Sequence, residues 1–217
     1  MDKELTSKQK EVLKAIKTYI AQNGFSPRFQ DLRDILKFKT NNSLVQYFKL
    51  LEKKGYIVWN KEKRGIRIVT QPKDAFFDIP LLGLASCGQA LCYPDNIIEE
   101  YIQISSKYIK GKYDDYFIIK ADGTSMNNAN LKINDQDLVL VKKMNNPMEN
   151  DIVVAVVNGL ATIKVFKRNL DKSILLVPRS KDSSHKPILL HPDDDVIICG
   201  KVEKVFNLRN TKGEKYN

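Results

Sequence analysis

The sequence predicts an α+β chain of two domains, helical at the N-terminal end and mostly β at the C-terminal end. Three observations predict it. Apolar residues recur at helical spacing through roughly the first 55 positions. From Ile79 onward they fall instead into short β-like runs separated by turn signals. The positive charge is also confined to one end. Residues 1–70 hold 16 Lys+Arg against 7 Asp+Glu, whereas the other 147 residues hold 20 against 19. The expected division is a first domain over 1–70, a linker over 71–78 and a second domain over 79–217.

Each element follows in order. Thr6 and Gln9 form a capping box, and Val12, Leu13, Ile16 and Ile20 then define one apolar face, which Asn23-Gly24 ends. Ser26-Pro27 predicts a second helix, with Ser26 as its cap and Leu32, Ile35 and Leu36 buried. Thr40 to Asn42 open a third, with Leu44, Phe48 and Leu51 facing inward and Gly55 as its stop. Tyr56–Trp59 and Ile66–Val69 read as two strands joined by a polar, basic turn. Three short helices and such a hairpin make a winged helix-turn-helix, whose third helix enters the major groove of DNA. A net charge of +9 over residues 1–70 suits a polyanion. Thr40, Asn41, Asn42, Ser43 and Gln46 are placed to meet base edges; Lys49, Lys53, Lys63 and Arg64 suit phosphates. Phe29, Tyr47 and Trp59 read as core residues. Residues 70–78 break the pattern. Beyond them Tyr116–Lys120, Asp137–Val141, Ile152–Val157, Ala161–Phe166, Ile174–Val177, Val196–Ile198 and Val202–Phe206 read as short strands.

Composition narrows the chemistry. No run approaches the roughly 18 apolar residues of a membrane span, and the first ten residues lack a secretory core, so a cytoplasmic location is expected. Three cysteines without a CxxC spacing argue against a disulfide framework or a zinc site, so neither metal nor cofactor is expected. Cys87, Cys92 and Cys199 read as reduced, small apolar residues. The two histidines, His185 and His191, sit in a Pro- and Asp-rich stretch, so a catalyst here must work without histidine.

Three segments carry possible chemistry. Asp122-Gly123-Thr124-Ser125-Met126 suits either an ordinary turn serine or a serine exposed on a tight turn with backbone N–H groups nearby. Lys164, in Thr162-Ile163-Lys164-Val165-Phe166, is either a snorkelling strand residue or a buried amine. A buried amine is pushed toward neutrality and can then act as a general base. Leu81–Leu91, with small residues at its centre and Gly88 able to bend, is either a buried strand and turn or a substrate segment.

Together these pieces resemble the LexA repressor family over nearly the whole chain. "LTSKQKEVLKAI", "GFSPRFQDL" and "LLEKKGYIVWNKEKRGIRI" are similar in order and spacing to its DNA-binding domain. The family's G-x-S-M motif matches Gly123-Thr124-Ser125-Met126, and its T-x-K motif matches Thr162-Ile163-Lys164. The resemblance implies Ser125 as nucleophile and Lys164 as general base. It implies a cleavage site at Cys87–Gly88, within "LLGLASCGQA", where cysteine replaces the commoner alanine. Three departures stand out. The stretch after Ser125 is about two residues longer than usual, Gln136 occupies the usual glycine of a D-G-D turn, and Val45 and Gln46 replace acidic residues of the third helix.

The resemblance further implies a homodimeric repressor of the DNA-damage (SOS) response, bound to double-stranded operator DNA. Its self-cleavage would be stimulated by a RecA-type recombinase filament on single-stranded DNA, and its second domain would serve both cleavage and dimerisation. A phage or mobile-element repressor of the same plan, a dimeric repressor that does not cleave, and a peptidase acting on other chains remain alternatives.

Overall fold

The computed structural model describes residues 4–59, 66–69, 76–83, 98–171 and 173–207. The chain forms two compact units. The first comprises residues 1–79 and 100–110; the second comprises residues 80–99 and 111–217.

In the first unit, α1 (Ser7–Asn23) begins at the expected box: Gln9 N–H donates to Thr6 Oγ1 and Thr6 N–H donates to Gln9 Oε1. Gly24, at φ +89°, takes the left-handed turn that ends it. The second helix differs from expectation. α2 (Phe29–Ile35) starts with Arg28 at the cap position, and Arg28 N–H donates to Asp31 Oδ2 at 2.8 Å. Ser26 does not cap it, because the Ser26 hydroxyl is buried and bonded to Gln103. α3 (Asn41–Lys53) is capped by Thr40, whose Oγ1 accepts from Ser43 N–H. Gly55, at φ +77°, lets the chain reverse, with Gly55 and Tyr56 N–H returning to the Glu52 and Leu51 carbonyls. β1 (Ile57–Trp59) and β2 (Ile66–Ile68) form an antiparallel hairpin with Ile57 opposite Ile68.

These elements share one core of Val12, Ile16, Ile20, Leu32, Leu44, Phe48, Leu51 and Ile57, all essentially solvent-free. Each such side chain contributes about 1.5–3 kcal/mol of burial. Phe29 stacks on Trp59, Phe48 meets Trp59 edge-on, and Tyr47 packs on Phe38, so the three aromatics pack as core, as expected. The sequence reading missed that β4 (Ile98–Ser105) contributes its residues from Glu100 onward to this unit.

The second unit is built on one sheet. Its strands are β5 (Tyr116–Lys120), β6 (Leu138–Lys143), β7 (Ile152–Val157), β8 (Leu160–Arg168), β9 (Ile174–Val177), β10 (Ile188–Leu190) and β11 (Val196–Phe206). They run in the order β10-β9-β8-β7-β11-β6-β5. Every pairing among them is antiparallel. The two strands expected at Val196–Ile198 and Val202–Phe206 are one strand. Register shifts at Ile198/Gly200 and Val202/Lys204 bend it, and those irregularities broke the sequence pattern. β3 (Phe76–Leu82) enters this unit at Pro80 and lays Leu81 and Leu82 parallel to Ile118 and Ile119. Residues 76–78, read as linker from sequence, thus lie in a strand; residues 71–75 are outside the described set. Phe117, Ile119, Val139, Val141, Val154 and Val202 make the main core. That core gives a stiff base to the turn after β5 and to β8, the two places that carry the candidate site.

Candidate active site and DNA-binding face

β5 runs as a wholly buried strand to Ile119 and then releases the chain into the segment Ala121–Ile133. Gly123 sits at φ +80°, a conformation that strains any residue with a β-carbon, and its N–H donates to Asp135 Oδ1 at 3.0 Å. Met126 points into the core while Ser125 stays half-buried at the surface. A second segment holds this turn from outside. Arg179 N–H donates to the Ser125 carbonyl and Asn128 N–H to the Arg179 carbonyl, both at 2.8 Å. Thr124 Oγ1 lies 3.1 Å from His185 Nε2.

Lys164 arrives from β8. The strand alternates, so Thr162 and Lys164 share a face while Ile163 and Val165 enter the core. Lys164 is 8% exposed. Its Nζ lies 3.0 Å from Ser125 Oγ, 2.6 Å from Thr162 Oγ1 and 3.1 Å from the Ile163 carbonyl. All three partners are neutral oxygens. Among the described residues no carboxylate forms an ion pair with it. Burial therefore acts unopposed and holds its pKa below the ordinary lysine value. The amine and the hydroxyl meet in a cleft of about 420 Å³, open to solvent and bordered by Gly123, Leu160 and His185. A neutral amine beside a hydroxyl on a tight turn can take the hydroxyl proton when that oxygen attacks a carbonyl.

The structure thus brings Ser125 and Lys164 together from 39 residues apart. Cys87 and Gly88, the expected cleavage site, lie outside the described residues, as does Cys92. Cys199 is fully buried, and burial raises its thiol pKa to about 11, which keeps it protonated and unreactive. Sequence reasoning placed Thr162 beside Lys164 without giving it a role, and it missed two further contributors. Thr162 shares a strand face with Lys164, and that spacing was a usable signal. Arg179 and His185 act across 54 and 61 residues from inside a stretch that reads only as loop.

On the first unit, Asn42, Gln46, Lys49 and Lys53 are all exposed. Spaced by four, three and four residues, they form one stripe along α3. Thr40 and Ser43 are engaged in the cap, their hydroxyls 2.9 Å apart, and Asn41 Oδ1 accepts from Arg33 at 3.2 Å. Lys63 and Arg64 lie outside the described residues.

Among the described residues no helix is long and apolar enough to cross a membrane, and no cluster of His, Cys, Asp and Glu could hold a metal ion.

Comparison with known proteins adds the family. Residues 2–65 match the model of the LexA DNA binding domain, and residues 80–203 match that of the peptidase S24-like family. A LexA repressor of Thermosipho africanus is 36% identical over 95% of this chain and 99% of its own length. One from Petrotoga mobilis is 35% identical over 82% and 87%. LexA repressor 1 of Geobacter sulfurreducens is 33% identical over 94% and 97%. The matched families give the N-terminal part a DNA partner and the C-terminal part serine-peptidase character. The chain belongs to the LexA repressor family of transcriptional repressors.

Proposed function

We propose that this repressor binds operator DNA as a dimer, governs the DNA-damage response and inactivates itself by cutting its own backbone at Cys87–Gly88. The observation that carries the reading is the 3.0 Å approach of the buried Lys164 amine to Ser125 Oγ.

The chemistry follows from that pair. Neutral Lys164 takes the Ser125 proton as Oγ bonds to the Cys87 carbonyl carbon. Backbone N–H groups near Ser125 stabilise the oxyanion. The carbon–nitrogen bond then breaks, and Lys164 returns the proton to the leaving Gly88 amine. Water, deprotonated by the same amine, hydrolyses the ester and restores Ser125. Thr162 orients the amine throughout from 2.6 Å. Cys199 takes no part, and neither histidine transfers a proton; His185 only braces Thr124. A RecA-type recombinase filament formed at damaged DNA acts, in this reading, by favouring the conformer that presents the scissile carbonyl. Separation from the dimerising half then weakens DNA binding, because two half-sites are no longer held together.

Incubation of the purified chain in mild alkali, without any filament, is expected to give fragments of 87 and 130 residues by mass. Ser125→Ala and Lys164→Ala are expected to stay whole. A wild-type chain that stays whole under every condition would overturn the reading.

A further inference from the structure

Each unit is assembled from both sides of the expected cut. The first unit contains residues 100–110, which follow Cys87–Gly88 in the chain; the second contains residues 80–83, which precede it.

The first borrowed segment is held by buried polar bonds. Val69 N–H donates to the Tyr56 carbonyl, so that pair bonds across the β1–β2 hairpin and Ile68 turns its own N–H and C=O outward. The Gln103 side chain meets both: Oε1 accepts from Ile68 N–H and Nε2 donates to the Ile68 carbonyl, each at 3.0 Å. Gln103 is 1% exposed. Its own N–H donates to Ser26 Oγ at 3.1 Å. Phe25 bridges Ile104, Ser105 N–H donates to the Gly24 carbonyl, and Lys107 Nζ donates to the Ala21 carbonyl at 2.7 Å. This is strand addition along Gly24–Ser26, with an amide side chain closing the free edge of β2. The second borrowed segment is apolar. Leu81 and Leu82 pair with β5, and Leu82 belongs to the core built on Phe117 and Ile119.

We propose that the two cleavage products stay paired after the cut. The surface formed by Gly24–Ser26 and the outer edge of β2 is the docking site, and its ligand is the 100–110 strand of the C-terminal product. Cutting then converts a tethered contact into a bimolecular one, so separation depends on concentration instead of following at once. The biological weight of this inference rests on the self-cleaving reading; the pairing itself holds for a cut anywhere between Gly83 and Ile98.

The test uses the full chain carrying Ser125→Ala and a recognition sequence for a site-specific protease inserted after Gly88. After complete cutting, verified on a denaturing gel, the two pieces are expected to co-elute in size-exclusion chromatography at micromolar concentration. Gln103→Ala in the same background is expected to raise the dissociation constant of the nicked complex by about tenfold or more. Lys107→Ala, at an exposed side chain that leaves folding intact, is expected to raise it by about threefold. Separate elution of the wild-type pieces would overturn the proposal. Two variants that dissociate no faster than the parent would overturn the assigned surface. Self-cleavage is read apart, on the Ser125-containing chain, so its failure would sink the self-cleaving reading and leave the nicked-chain result standing.

Discussion

Lys164 is where burial and function oppose each other. The unfolded chain holds its proton with the ordinary lysine affinity, near pKa ~10.4, whereas the folded chain holds it less tightly. Between the two values the unfolded state binds more protons, so the folded state gains stability as pH rises. Below the folded value both states are protonated and the folding penalty is complete. Lys164→Met is therefore expected to abolish cleavage and to stabilise the fold by on the order of 1–3 kcal/mol at neutral pH. That gain should shrink as pH rises. Urea denaturation of both proteins at two pH values measures it; a gain that grew with pH would contradict the assignment. Gln136 offers a second residue-scale test. It sits at φ +69°, a left-handed position that disfavours a β-carbon. Gln136→Gly is expected to stabilise by about 0.5–1 kcal/mol, read as a higher urea midpoint at unchanged slope.

At the scale of elements, β11 makes the second sheet continuous, because it is bonded to β6 on one side and β7 on the other. Gly200 lies at its bulge. A β-carbon there would press on the Lys142 carbonyl and the Val141 side chain, both inside contact distance. Gly200→Ala is expected to destabilise by about 2–4 kcal/mol, seen as a lowered Tm, because the obstacle is backbone and cannot rotate away. The regular elements were the legible ones. The Thr6/Gln9 box, the Leu44-Phe48-Leu51 face and the β7 run each announce themselves within a dozen residues. β4 did not, because its defining residue, Gln103, is polar and is held by partners 35 and 77 positions away, Ile68 and Ser26. Ser26 misled for the same reason: a serine before Pro27 reads as a cap until the distant strand claims its hydroxyl.

At the scale of the molecule, charge and chemistry are segregated. The basic N-terminal end carries the exposed stripe of Asn42, Gln46, Lys49 and Lys53. Lysines that contact phosphates release counterions, so operator affinity should fall linearly with the logarithm of salt concentration. Lys49→Ala and Lys53→Ala are each expected to reduce that slope by about 1, whereas Gln46→Ala should relax sequence discrimination by about 1–3 kcal/mol at one position. Fluorescence anisotropy across a salt series separates the two effects. The candidate catalytic pair was legible as two residues, since short motifs and strand alternation single out Ser125 and Lys164. Its surroundings were not. The Arg179 and His185 contacts arise from loop closure across more than 50 residues, which no local pattern encodes.

In the proposed reaction everything turns on the Lys164 amine, whose charge burial disfavours, activating Ser125. The most direct measurement is the rate of filament-free self-cleavage from about pH 7 to pH 10. The rate is expected to climb with a single ionisation, whose midpoint lies below that of an ordinary lysine, and then to level off. A rate indifferent to pH, or a midpoint at the ordinary lysine value, would contradict it.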